Sequence, residues 1–301
     1  MRRDTGAVLI NALVIVLAIS TIAAALLTRA ELARKHGTDA QAGHQLALYL
    51  DGIELLMPAL LESTTDGSAV HRGQPWARAG LSYPIDRGQV AASIDDLQGR
   101  LNVNWLMRDD PYVQDVFAQV FSQLHVPQSL LTAITDYLDS GGSGVTGSYL
   151  SRDPPVLPRG GPLALVDELR EVDGMTPDLF AILQPVLAAL PMNSRINLNT
   201  APDILLQAVL APLPAEVVGE VLNRETAIQS MSELRQRTVE ILETEDIDDL
   251  PFDRMTVNSN WFVADLTATL DGLRQRRRAV FFIDVTSGTP INLIYRWAVY
   301  D

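Results

Sequence analysis

The run Ala7–Thr28, AVLINALVIVLAISTIAAALLT, contains 22 residues and no charge. Arg2 and Arg3 precede it, and Arg29 and Glu31 follow it. As a helix rising 1.5 Å per residue it would extend about 33 Å, enough to cross a hydrocarbon core of about 30 Å. A cleaved secretory signal has an apolar core of about 7–15 residues and a small-residue cleavage site beyond it. Here the core is longer, and Ala23-Ala24-Ala25 leads into Leu26, Leu27 and then charge. A buried core helix rarely runs this long without a charge. The expectation is a retained span, residues 7–28. Arg2 and Arg3 then stay on the cytoplasmic side by the positive-inside rule. The body lies on the other side, which in a bacterium is the periplasm.

Helical spacing continues past the span through Leu32, Leu46, Leu50, Ile53, Leu56 and Leu60. One helix over 7–62 is expected, amphipathic in its second half. Gly37, Gly43, Gly52 and Pro58 are expected to bend or fray it. Residues 63–84 are rich in Ser, Thr, Gly and Pro and read as a loop. Gln89–Asp95 reads as a strand. Asn102 and Asn104 can bond neighbouring backbone and fix a corner.

From Pro111 the period becomes helical. Tyr112–Leu124, Gln128–Leu138, Pro177–Leu190, Asp203–Leu210, Ala215–Asn223 and Ser232–Leu242 are expected helices. A glycine-rich stretch, Ser140–Gly147, and a Pro-rich one, Pro154–Pro162, read as loops. After residue 254 the period shortens. Trp261–Leu270, Arg278–Val285 and Ile291–Val299 read as three antiparallel strands, the first pair joined at Asp271-Gly272. An isolated strand is unstable, so Gln89–Asp95 is expected to pair with these strands. The helical block is then an insertion in one α+β domain.

Composition narrows the function classes. The chain has 301 residues, 47% of them apolar, a formal charge of −14 and no cysteine. Phosphate affinity needs clustered positive charge, so this balance disfavours nucleic-acid binding. Disulfide and thiol chemistry are absent. His36, His44, His71 and His125 are scattered. There is no Gly-x-Ser-x-Gly elbow, phosphate loop or dinucleotide turn. No catalytic constellation is visible, and an enzyme is not expected.

Four local features carry possible binding chemistry. Arg274–Arg278, RQRRR, sits at a presumed hairpin tip, where lipid headgroups or an acidic partner could meet it. Glu243–Asp249 is acidic but lacks the glycine turn of a calcium loop. Asp136-Tyr137-Leu138-Asp139 places oxygen ligands beside the glycine-rich stretch. Arg195–Pro202, RINLNTAP, offers Thr200 as a helix N-cap and Pro202 in the first turn. The same entry opens helix-hairpin-helix modules that hold DNA backbones through hairpin N–H groups. Here the hairpin reads Ala211-Pro212-Leu213-Pro214, and each proline removes a donor.

Taken together, these stretches resemble the type II secretion minor pseudopilin K family. The likeness rests on Gly6 before the apolar helix, on Asp96–Asn104 (DLQGRLNVN) and on Asp136–Asp139. It also rests on Asp167-Glu168-Leu169-Arg170, and on Leu190-Pro191 leading into Ile196–Ala201. The resemblance implies an α+β pseudopilin fold. Residues 1–6 would be the prepilin leader, and 63–104 with 255–301 a small antiparallel sheet. Residues 105–254 would be an inserted all-α domain of helix-hairpin-helix type. It implies cleavage between Gly6 and Ala7 by the prepilin peptidase, methylation of the new terminus, and an inner-membrane anchor with a periplasmic body. It implies a tip complex with minor pseudopilins I and J above the major pseudopilin. Pilins commonly carry Glu at the fifth mature position, where this chain has Asn11. Family calcium sites use Asp-x-x-Asp-x-Asp. Asp136 and Asp139 match it, while Gly141 stands at the third acid and the later acidic stretch reads Gly144-Val145-Thr146-Gly147. The rival reading is a membrane-anchored helix-hairpin-helix protein that handles DNA during uptake.

Overall fold

The computed structural model describes residues 4–62, 68–78, 80–139, 143–211, 213–222, 226–243, 247, 250–284 and 291–299; for 4–9, 143–146 and 215 it describes the backbone alone. The first helix, α1, runs Asp4–Glu54 without interruption at Gly37, Gly43 or Gly52. It stops four residues short of Pro58. A helical proline lacks an N–H and crowds the carbonyl four residues earlier, here that of Glu54. Leu55 and Leu56 form the break, and α2, Met57–Leu61, resumes with Pro58 in its first turn. The expected single helix over 7–62 is thus two. The apolar stripe continues across the break at the same three-to-four spacing, through Met57 and Leu61 and not the expected Leu56. Leu46, Leu50, Ile53, Met57 and Leu61 are buried, whereas Leu56 is exposed.

Among the described residues, five antiparallel strands make one sheet in the order β1-β2-β7-β8-β9. β1 is Leu81–Ile85 and β2 is Gly88–Asp96. β1 lies partly in the stretch expected to be loop. It tolerates Pro84 because it is an edge strand. β2 pairs along its full length with β7, from Gly88↔Leu270 to Asp96↔Phe262, as the sequence required. The other strands are β7, Trp261–Leu270; β8, Leu273–Ile283; and β9, Ile291–Val299. Asp271 and Gly272 take positive φ, 50° and 83°, the conformation of a two-residue hairpin that glycine adopts without strain. Arg274–Arg278 therefore lies within β8, not at the tip.

Between β2 and β7 the chain makes the α-lobe. β3 (Leu101–Asn102) is followed by α3 (Pro111–Gln123), α4 (Gln128–Leu138), α5 (Ser143–Leu150) and α6 (Pro177–Leu183). Then come β4 (Leu187–Ala188), β5 (Ile196–Asn197), α7 (Asp203–Val209), α8 (Ala215–Val221), α9 (Met231–Leu242) and β6 (Met255–Thr256). Two short parallel bridges, β3 with β4 and β5 with β6, qualify the all-α expectation. The helix expected over Pro177–Leu190 ends at Leu183 because Pro185 cannot continue it. Its remainder supplies β4. The expected glycine loop at Ser140–Gly147 becomes helical from Ser143.

The sheet is covered on both faces. The α1–α2 stripe packs on Val90, Ala92, Ile94, Phe262, Ala264, Leu266 and Phe281. The other face meets the α-lobe through Leu97, Ala188, Leu190, Val263 and Val280. Each fully buried Leu or Ile contributes about 1.5–3 kcal/mol. Charge fixes the register of α1 on the sheet. Arg277 of β8 donates to Asp51 at 2.6 Å and to the buried Glu54 at 3.2 Å, and Arg296 of β9 donates to Glu54 at 2.6 Å. The hydrogen bond from Arg277 holds the Asp51 carboxyl below its ordinary 3.8, with the charges of Arg277 and Arg296 adding to it. A depressed carboxyl stabilises the fold above its unfolded value and loses that stability as pH falls through the native one. Arg277→Ala should cost about 1.5–3 kcal/mol at pH 7, the usual worth of hydrogen bonds to charged groups. Most of that loss falls on the buried Glu54, because solvent screens the half-exposed Asp51. In denaturant titrations followed by circular dichroism, the gap to wild type should narrow as pH falls below 3.8. A pH-independent gap would assign the loss to the Glu54 contact and to packing, with no share from Asp51.

Candidate functional site: the junction of sheet and α-lobe

Two stretches, separated by 101 positions at Asp96 and Asn197, meet at the end of β2. Asp96, 6% exposed, is the last residue of the strand. Its Oδ1 accepts from the Gln98 amide at 2.8 Å. Its Oδ2 accepts from Thr200 Oγ1 at 2.6 Å, Ser259 Oγ at 2.6 Å and Asn197 Nδ2 at 3.0 Å. One carboxylate thus ties β2 to the Ile196–Ala201 corner and to the segment entering β7. Burial pushes this carboxyl above 3.8, and the donors from Ser259, Thr200, Gln98 and Asn197 pull it back. With a raised native value, the stability from this group is full below 3.8 and falls as pH rises through that native value. Acid therefore loosens the Asp51 contact but not this one.

The surrounding polar groups are satisfied in the same way. Gln98 Nε2 donates to the Arg195 carbonyl at 2.9 Å, and its Oε1 accepts from the Asn260 amide at 2.7 Å. Asn197 Nδ2 also reaches the Val70 carbonyl at 3.1 Å. Arg72 donates to the Thr200 carbonyl through Nε at 3.2 Å and Nη2 at 2.7 Å. Asn102 Oδ1 accepts from the Asn104 and Leu190 amides, both at 3.1 Å. Asn104 exchanges two bonds with Leu163 and donates to the Leu190 carbonyl. The asparagines brace corners as expected, and they also bond across distant segments. Thr200 does not cap α7. The cap position is Pro202, with no side-chain bond, and the Thr200 hydroxyl serves Asp96. Ser259 and Arg72 carry no sequence signal, since a lone Ser or Arg in a loop has no periodicity to betray it.

Gly99 explains the glycine of the DLQGR stretch. A Cβ there would stand 2.7 Å from Thr200 Oγ1 and 3.0 Å from the Thr200 backbone. The two motifs touch at this point, and a side chain would part them.

The other expected sites are not assembled with the junction. Asn11 is exposed on α1, and of Gly6 and Ala7 only helical backbone is described. Asp136 and Asp139 are exposed at the end of α4. Asp139 borders a cavity of about 460 Å³ with Arg108 and Asp109. Among the described residues no three His, Asp or Glu side chains converge on a metal-sized site, and Ca²⁺ takes about six to eight oxygens. Gly141 and most of the acidic run 243–249 lie outside the described residues. The basic run at Arg274–Arg278 is partly consumed, with Arg277 on α1 and Arg278 on Asp265 at 2.9 Å. Helices α7 and α8 form in turn around the expected hairpin, of which Pro212 lies outside the described residues. Residues 105–254 hold 23 Asp and Glu against 9 Arg, so the whole charge of −14 resides there. Such a lobe repels a phosphate backbone.

From Ile10 to Gln41 every α1 side chain is exposed. Its most apolar window has a mean hydropathy of 2.5 and no burial. Residues 99–192 match the family model for type II secretion system protein K. The resemblance to the protein K family holds. The chain is 25% identical to type II secretion system protein K of Pectobacterium carotovorum over 98% of its own length and 96% of that protein's. It is 29% identical to the Aeromonas hydrophila protein K over 66% of its own length and 68% of that protein's. It also superposes on a chain of the GspK-GspI-GspJ complex from enterotoxigenic Escherichia coli. The TM-score is 0.70 and the identity 22%, covering 88% of this chain and 99% of that one. That likeness shows the α+β fold, and α1 adds the long apolar N-terminal helix.

Gly99→Ala tests the meeting of the two motifs. The clash involves backbone, so relief needs the corner to move. A loss of about 1–3 kcal/mol is expected, read as a lowered midpoint in chemical denaturation. Asn193→Ala serves as the control. Asn193 is exposed in the loop just before the corner, and its substitution should leave the midpoint unchanged.

Proposed function

We propose that this chain is a minor pseudopilin at the tip of a type II secretion pseudopilus, acting by assembly and not by catalysis. The observation that carries the reading is α1. From Ile10 to Gln41 it is wholly exposed, and its last turns are clamped to the sheet by Leu46, Leu50, Ile53 and the Asp51–Glu54–Arg277–Arg296 charges. A helix built this way is a stem whose environment is supplied from outside, by lipid and then by other helices. On this reading Gly6/Ala7 is the prepilin peptidase cut, the N-terminus faces the cytoplasm and the body is periplasmic. The partners are minor pseudopilins I and J, supported by the fold likeness to a chain solved in a complex of that name. Asn11 replaces a charge that would need a neighbour in the membrane. A subunit without that charge has no need of a place beneath another subunit, which suits the first position in the filament. Calcium at Asp136 and Asp139 is no part of this proposal. The acidity of residues 105–254 and the prolines between α7 and α8 disfavour the DNA-uptake alternative.

Co-expression of the full chain with the pseudopilins I and J of the same secretion system tests the role. Recovery of a stable three-protein complex, with intact mass giving a chain that starts at Ala7, is expected. A folded chain that purifies alone and still starts at Met1 would overturn both the partnership and the processing.

A further inference from the structure

An open groove of about 650 Å³ lies beside the junction, where the Pro191–Arg195 loop faces the start of β7 and the end of β8. Its floor is locked. Gln98 bridges the Arg195 carbonyl and the Asn260 amide, Asn260 Nδ2 donates to the Ile283 carbonyl at 2.7 Å, and the Ile283 amide returns to the Asn260 carbonyl at 2.8 Å. One wall is aromatic. Trp261 and Phe282 are paired across β7 and β8 with ring centroids 4.8 Å apart, and both remain half-exposed. The rim is polar and uncommitted to the floor. Asn193, Arg195 and Asn258 are exposed and bring amide and guanidinium chemistry to the opening.

We infer that this groove binds a saccharide. A pyranose ring has an apolar C–H face and a rim of hydroxyls that both donate and accept. A half-exposed aromatic pair suits the face. Asparagine amides, which also donate and accept, suit the rim, and Arg195 adds donors. The arrangement is that of a small-ligand site: concave, with an apolar wall and a few placed polar groups on a rigid floor. Other ligand classes fit less well. Among the described residues the groove lacks the cationic excess a phosphate polymer needs, since Arg195 is the one basic residue lining it and Asp284 is acidic. Its described lining mixes apolar and polar side chains, without the continuous apolar surface an acyl chain needs. Trp261 packs one side against the apolar seam, and the part of its ring and of Phe282 left uncovered faces the groove; the site does not depend on the secretion role.

The probe is the tetrasaccharide of β-1,4-linked N-acetylglucosamine. It is titrated into the full chain in a detergent without sugar headgroups and followed by tryptophan fluorescence and saturation-transfer NMR. A saturable fluorescence change with transfer to the sugar C–H protons is expected. Arg195→Ala and Asn258→Ala, both on the exposed rim, should each weaken binding about five- to tenfold at unchanged midpoint of unfolding, the loss of one hydrogen bond. Trp261→Leu should abolish it. Should Trp261→Leu fail to fold, the two rim variants decide alone. No saturable response in the wild type would overturn the inference. So would a response that both rim variants leave unchanged, or one that a neutral extended peptide displaces more strongly than maltotetraose does.

Discussion

The structure depends on one buried carboxylate. Asp96 stands where β2 ends and the α-lobe begins, and it gathers donors from Gln98, Asn197, Thr200 and Ser259. These donors come from three separate parts of the chain. A buried acceptor of this kind is costly to desolvate and costly to leave unpaired. Its four bonds leave little freedom in how the lobe sits on the sheet. Gly99 then lets the two backbones approach, and Leu97, Ala188, Leu190, Val263 and Val280 close an apolar seam beside them. The polar bonds set the geometry, and the apolar seam supplies the bulk of the attraction.

Rigidity at that joint gives the rest of the molecule its division of labour. The stem and the sheet together, residues 1–104 and 255–301, are neutral, and the α-lobe carries the full negative charge. The exposed length of α1 leaves the platform in a direction fixed by Leu46, Leu50, Ile53 and the ion pairs at Asp51 and Glu54. An assembling subunit needs that direction held, because a stem that swings cannot register with neighbours. The two anchors respond to pH with opposite sign, since the Asp51 carboxyl is depressed and the Asp96 carboxyl raised. The stem contact is therefore the acid-sensitive one.

Much of this is legible in the sequence, for physical reasons that differ by element. The apolar run has no charge to interrupt it. The pairing of β2 with the C-terminal strands follows because a lone strand cannot stand. The Asp271-Gly272 turn follows from the positive φ it demands. Edge strand β1 is hard to see, because Tyr83-Pro84 sits in a glycine- and proline-rich stretch and buries little. The α1–α2 break belongs to Pro58 alone, because a long helix tolerates glycine better than proline. β4 resembles helix in the sequence because Val186–Leu190 is apolar at either period, and only Pro185 tells against it. At the junction the motif residues are visible but their partners are not. The bond from Thr200 to Asp96 spans 104 positions, and local capping rules give Thr200 a different task.

Hydrogen exchange on the full chain in micelles, comparing wild type with Asp96→Ala, tests the central claim most directly. If Asp96 joins the halves, the most protected amides of β2, β7 and α7 in the wild type share one opening free energy. In Asp96→Ala the α7 amides should then open at lower free energy than those of β7, because the side-chain donors of Asn197, Thr200 and Ser259 lose their shared acceptor. A wild type whose halves already open independently, or an Asp96→Ala variant that still opens as one unit at the same free energy, would contradict it.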